Sequence, residues 1–104
     1  MVNQQTGVNQ AHIFISECEK KGISIDYAYL FGSYANGNMR EDSDIDLILV
    51  SEDFDSTKRY ANLQKIMPVH VHFPNFSVLT YSKKDYLNGI DFVEHIKPTA
   101  IQLK

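Results

Sequence analysis

Val8, Ala11, Ile15 and Cys18 recur at helical spacing, with Phe14 four positions before Cys18, and Gly22 follows Lys20-Lys21. Apolar side chains three and four apart share one helix face, and glycine after basic residues is a common stop, so a helix is predicted from about Asn9 to Lys21. From Ile23 to Phe31 the period changes to two: Ile23, Ile25, Tyr27, Tyr29 and Phe31 alternate with Ser24, Asp26, Ala28 and Leu30. That is the signature of a strand, ended by Gly32. Small and polar residues from Gly32 to Ser43 predict a turn and loop.

Ile45 to Val50 is apolar on both alternating faces apart from Asp46, which predicts a strand buried on both sides and central in its sheet. After the acidic loop Glu52–Asp55, Ser56 is placed to cap a helix that runs through Met67 and stops at Pro68. Val69 to Phe73 alternates again and reads as a strand; Pro74-Asn75 interrupts it and Val78–Tyr81 resumes it. Ser82 with Asp85 three later resembles a helix-capping pair, Asn88-Gly89 a turn, and Asp91–Lys97 a last short helix. Ala100, Ile101 and Leu103 form an apolar tail that needs a surface to pack on. The order of elements predicts an α/β (α+β) domain, a small mixed sheet with helices on one side.

A chain of 104 residues suffices for one core, so a single domain covering 1–104 is expected. Apolar residues at 43% and charged residues at 22% are ordinary globular usage, which excludes a disordered chain. The net charge of −3 supplies no long-range attraction for a phosphate backbone, so direct duplex nucleic-acid binding is not expected, while a locally held nucleotide remains open. A single cysteine, Cys18, allows no intrachain disulfide and suits a reducing compartment. Met1 to Gln10 is polar, without a basic start to an apolar run, and no apolar stretch nears the roughly 18 residues of a membrane span. A cytoplasmic protein without a membrane partner is the expectation.

Candidate chemistry concentrates where the first strand ends and the next begins. Gly32-Ser33 closes the first strand, and Asp44-Ile45-Asp46 opens the second. Alternation puts Asp44 and Asp46 on one face, two residue rises or roughly 7 Å apart along the backbone, so both carboxylates can converge on one cation. Magnesium favours carboxylate oxygens together with phosphate oxygens and water. Gly32 permits close approach of the backbone, and Ser33 offers a hydroxyl and an amide at the start of a helical turn, where anions are favoured. The ordinary alternative for the aspartates is a pair of turn and strand-start residues.

The stretch Phe31-Gly32-Ser33-Tyr34-Ala35-Asn36-Gly37, followed by Arg40-Glu41-Asp42-Ser43-Asp44-Ile45-Asp46-Leu47, resembles the signature of the DNA polymerase beta-type nucleotidyltransferase superfamily. In its length the chain is similar to the minimal nucleotidyltransferases that act as antitoxins beside HEPN-domain toxins. The resemblance implies a polymerase beta-like core, with Asp44 and Asp46 as catalytic residues holding Mg2+ or Mn2+. It implies that Gly32 and Ser33 hold the phosphates of ATP or another nucleoside triphosphate, with Arg40 and Ser43 as further nucleotide contacts. The reaction it implies is transfer of a nucleoside monophosphate, AMP from ATP, to a hydroxyl of a protein partner such as a HEPN-type toxin.

Active members carry a third carboxylate on a neighbouring strand. Val69–Phe73, the strand expected there, has none, and alternation offers His70 or His72 instead, with His72 preferred as the third catalytic residue. An imidazole is a softer ligand than magnesium favours and suits manganese or zinc better. A second departure is Asn36, where many relatives carry a basic residue. The ordinary roles of both histidines are sheet packing or solvent exposure. These departures leave a second expectation standing, an inactive nucleotidyltransferase fold that regulates a partner through its surface.

Overall fold

The computed structural model describes residues 3–104. The first helix, α1, spans Gln4–Lys20 and begins earlier than the apolar spacing alone predicts, because the side chain of Asn3 accepts a hydrogen bond from the Thr6 amide at 2.9 Å and caps it. Its buried face is Gly7, Ala11, Phe14, Ile15 and Cys18, a helical series. Burial, then the nearby Glu19 and Glu17, pushes the Cys18 thiol up to about 12, so it stays protonated and serves as a small apolar core residue.

Strand β1 is Tyr27–Phe31, followed by a one-turn helix α2 at Ser33–Asn36 and by β2 at Ile45–Ser51. Ile23 and Ile25 are buried but precede the paired strand; there the chain is tied to the far end of β2, where Ser24 donates its amide to Asp53 and Glu52 donates its amide to Asp26. Helix α3 runs Arg59–His70, β3 Phe76–Ser82, α4 Lys83–Asn88, α5 Asp91–Ile96 and β4 Ile101–Gln102. The four strands lie in the order β3-β2-β1-β4, with β2 parallel to β3 and the other two pairs antiparallel. The expected small mixed sheet is present, with β2 interior. The apolar tail finds its surface as β4, pairing Ile101 with Leu30.

The stretch from Val69 to Phe73 is not a strand. Helix α3 passes through Pro68 and ends at His70, and the strand of this region is Phe76–Ser82. Asn62, Ile66 and Val69 are its buried residues and Phe73, four further on, still packs on the core, so a spacing of four, three and four outranks the short alternation. Pro68 is tolerated because it and Gln64, whose carbonyl loses its usual partner, are both exposed near the end of the helix.

Helices cover both faces of the sheet rather than one. On one face Ala28, Leu30, Ile45, Leu47, Leu49, Phe76 and Val78 meet α1 and α3 through Phe14, Ile15, Ile66 and Val69. On the other, Tyr29, Ile48 and Val50 meet Val93 of α5, with Tyr86 of α4 packed alongside. The hydroxyls of Tyr29 and Tyr86 share a hydrogen bond of 2.5 Å, and burial followed by that bond raises the Tyr29 hydroxyl above the usual tyrosine range. The second apolar face was legible in Ile48 and Val50; α4, begun by the Ser82 cap to the Asp85 amide, is short enough to fold back over it. No described helix is long and apolar enough to cross a membrane.

Candidate nucleotide and metal site

At the end of β1 the chain reverses through Gly32, whose φ of 73° and ψ of −149° lie in a region that strains any residue with a side chain. Gly32 caps α2, its carbonyl accepting from the amides of Ala35 and Asn36, and Gly37 closes the turn at φ 79°. Tyr34, 2% exposed, drives this turn into the core against Gly7 of α1, where a side chain larger than hydrogen would overlap its ring. The bend is therefore clamped from beneath by α1. The first amides of a helical turn have no partner within it, which here leaves those of Ser33 and Tyr34, since Ala35 and Asn36 already donate to Gly32.

The antiparallel register pairs Phe31 with Asp46, which brings β2 back beside the bend. A β-carbon on Gly32 would overlap Asp46 Oδ2, so the missing side chain creates the space that the carboxylate occupies. Asp46 is half-buried and Asp44 exposed. Burial and then the charge of Asp44 hold the Asp46 carboxyl above the ordinary aspartate range.

Arg40 and Ser43 form the turn leading into this pair. Ser43 Oγ accepts from the Arg40 amide at 2.7 Å and the Ser43 amide donates to the Arg40 carbonyl at 3.1 Å, while the Arg40 side chain is exposed. Arg40 thus stands as the lone cation in a loop that also carries Glu41, Asp42 and Asp44.

His72 does not join them. It occupies an exposed turn after α3, beside Glu17 of α1 and Lys21, the residue that caps that helix, on the side of the sheet away from Ile48 and Val50. His70 packs edge-on against Phe14 and bonds the Phe76 carbonyl at 2.9 Å, a structural role. The residue that does flank Asp46 is Ser77, its partner in the parallel register of β2 and β3. Ile48, Val50, Leu79 and Tyr81 share one core, so the two-residue period puts Asp46 and Ser77 on that same face. Neither Ser77 nor Phe31 was marked by sequence as a site residue beyond the quoted signature; the buried alternation Phe76, Val78, Thr80 was the signal for Ser77.

Among the described residues no three His, Cys, Asp or Glu side chains gather as a metal-binding group. Two carboxylates beside an open glycine fit a hard cation that arrives with phosphate and water as its remaining ligands, and do not fit a protein-only cage.

The family of polymerase beta nucleotidyltransferases matches residues 14–98, and the chain belongs to it. No curated protein matches the chain in sequence at a significant level. Among solved structures it is similar to a protein of Sulfolobus solfataricus inferred to be a nucleotidyltransferase, at 16% identity over 95% of this chain and 80% of that one, with a TM-score of 0.67. It is also similar to a variant of the toxin–antitoxin pair MntA–HpeT, at 19% identity over 93% of this chain and 72% of that one, with a TM-score of 0.53. A toxin–antitoxin structure with AMP-PNP gives 24% identity over 88% of this chain and 70% of that one, again with a TM-score of 0.53. These likenesses establish the fold as that of the nucleotidyltransferases.

The clamp at Gly32 carries a direct expectation. Gly32→Ala forces a β-carbon into a positive-φ backbone and against Asp46, and should destabilise the fold by about 1–3 kcal/mol while displacing the carboxylate. Urea denaturation alongside ATP titration checks it; a variant of wild-type stability and wild-type ATP affinity would remove the bend from the site.

Proposed function

We propose that this domain binds the divalent-cation complex of a nucleoside triphosphate at Gly32, Ser33, Asp44 and Asp46, and transfers its nucleoside monophosphate to a hydroxyl of a partner protein. The observation that carries the reading is the carboxylate of Asp46 standing in the space left by the missing side chain of Gly32, with Asp44 acting on it. When bound, a Mg2+ or Mn2+ ion supplies charge neutralisation on the phosphates and on the departing pyrophosphate. Asp44 and Asp46 orient that complex. The bend presents Ser33 and its amides to phosphate oxygens, and the exposed Arg40 is near enough in sequence to add a positive charge. ATP as substrate and a toxin of the HEPN type as partner are supported by the similarity to toxin–antitoxin pairs, one of them holding AMP-PNP. Acids outnumber Arg40 around the site, so a bare triphosphate would be repelled and binding should require the cation.

A second reading, an inactive domain that regulates its partner by surface contact, is favoured by one observation: the residue beside Asp46 on the neighbouring strand is Ser77, which is not a carboxylate. The two separate in one experiment. Incubated with labelled ATP, Mg2+ or Mn2+ and the product of the adjacent gene, the protein is expected to label that partner, and excess chelator should abolish the label. Cation-dependent ATP binding without any transfer, together with neutralisation of the partner, would establish the second reading in place of the first.

A further inference from the structure

The ring of Phe92, at the second position of α5, is 39% exposed, whereas Val93 beside it is 1% exposed and anchors the helix to the sheet. Packing of α5 therefore does not depend on Phe92. The ring is nevertheless held in place: it meets Phe31 edge-on, with centroids 5.6 Å apart and planes at 81°. Phe31 is the last residue of β1, directly precedes Gly32, and is the antiparallel partner of Asp46. Cross-strand partners on one face stand side by side, and Phe31 belongs to the same core face as Ile48 and Val50, two and four residues beyond Asp46. Asp46 is thus the cross-strand partner of Phe31, and the Phe31 ring touches the Phe92 ring.

The geometry points to Phe92, propped by Phe31, as the surface on which the base of a bound purine nucleoside triphosphate stacks. This rests on the nucleotide-site reading above and adds to it a position for the base and a preference among bases. A nucleobase lies one ribose beyond its phosphates, so a site with phosphates at Gly32 and Ser33 needs a flat apolar surface near the bend but not at it. Phe92 meets that need. Stacking on an aromatic ring requires no hydrogen-bond code and strengthens with the size of the π system, so a purine gains more than a pyrimidine. The edge-on contact with Phe31 leaves a face of the Phe92 ring without that partner and restricts its rotation, which lowers the ordering cost of stacking.

Calorimetric titration of the full chain with the magnesium complexes of ATP, UTP and inorganic tripolyphosphate tests this on wild type, Phe92→Ala and Phe92→Tyr. Phe92→Ala should weaken ATP on the order of tenfold, leave tripolyphosphate unchanged and erase the preference for ATP over UTP, while Phe92→Tyr keeps all three values. ATP affinity unchanged in Phe92→Ala would overturn the inference, leave the nucleotide site standing and return the ring to a partner surface. Equal losses for ATP and tripolyphosphate would also overturn it, because the ring would then be supporting the bend. If the wild type binds neither ligand, the nucleotide site itself fails and the inference falls with it.

Discussion

Asp46→Asn is expected to abolish cation-dependent ATP binding and any nucleotide transfer without unfolding the domain. In the proposed site, removing one of the two carboxylates would take away half of the charge offered to a cation, an effect of several kcal/mol and therefore a loss on the order of a hundredfold or more. Stability should move the other way. Burial and Asp44 raise the Asp46 carboxyl in the folded protein above its ordinary value of 3.8. Between 3.8 and that raised value the folded state holds a proton that the unfolded chain has released, so stability falls as pH rises through this window. At neutral pH the wild type therefore carries an ionised, unfavourably placed carboxylate, and asparagine removes it. Urea denaturation should find the variant as stable as the wild type or more so at pH 7, with the gain shrinking as the pH falls through that window and gone below 3.8. Cation affinity of the wild type should weaken on acidification from above the usual aspartate range, since the cation needs the ionised form. Wild-type ATP affinity in a folded Asp46→Asn protein would place the nucleotide elsewhere.

Ser77→Asp is the second large effect, and its direction is opposite. Ser77 is exposed, beside Asp46 in register and on its face, on a strand about 4.8 Å away. A carboxylate there completes a three-acid site, and added ligand charge tightens a hard-cation site, so Mn2+ affinity should rise on the order of tenfold. In the absence of cation the third acid should raise the Asp46 carboxyl further and lower stability at neutral pH, because like charges oppose one another. Mn2+ titration followed by proton relaxation, with urea denaturation in chelator, reads both. Unchanged Mn2+ affinity would mean that the serine side chain is not directed at the cation site. If transfer to the partner also rises, two acids suffice for chemistry but limit its rate; tighter Mn2+ with no transfer in either protein supports the regulatory reading.

The glycine bend and the strand that follows it were more legible than their neighbourhood. Gly32-Ser33 and Asp44-x-Asp46 are short-range patterns: a positive-φ bend needs glycine, and Asp44, the residue just before β2, is close enough in the chain for its charge to act on Asp46. The third element failed because five alternating residues, Val69 to Phe73, satisfy a strand pattern locally while Asn62, Ile66, Val69 and Phe73 satisfy a helix over a longer span. With that strand went the role expected of His72, whose turn faces α1 instead of the carboxylates. The capping pair at Ser82 and Asp85 was legible because an N-cap is decided within four residues.

Sequence alone determined what is local or periodic: the family, the bend, the acid pair, a β2 buried on both faces, and a thiol destined for the core. Only the tertiary structure decided which residues meet across strands. The parallel pairing of β2 with β3 set Ser77, and not a histidine, beside Asp46, and the fold-back of α5 carried Phe92 to Phe31. Register is the physical reason. A slip of one residue in a strand turns every side chain to the opposite face, and that choice is made by the whole core at once rather than by any segment of the chain.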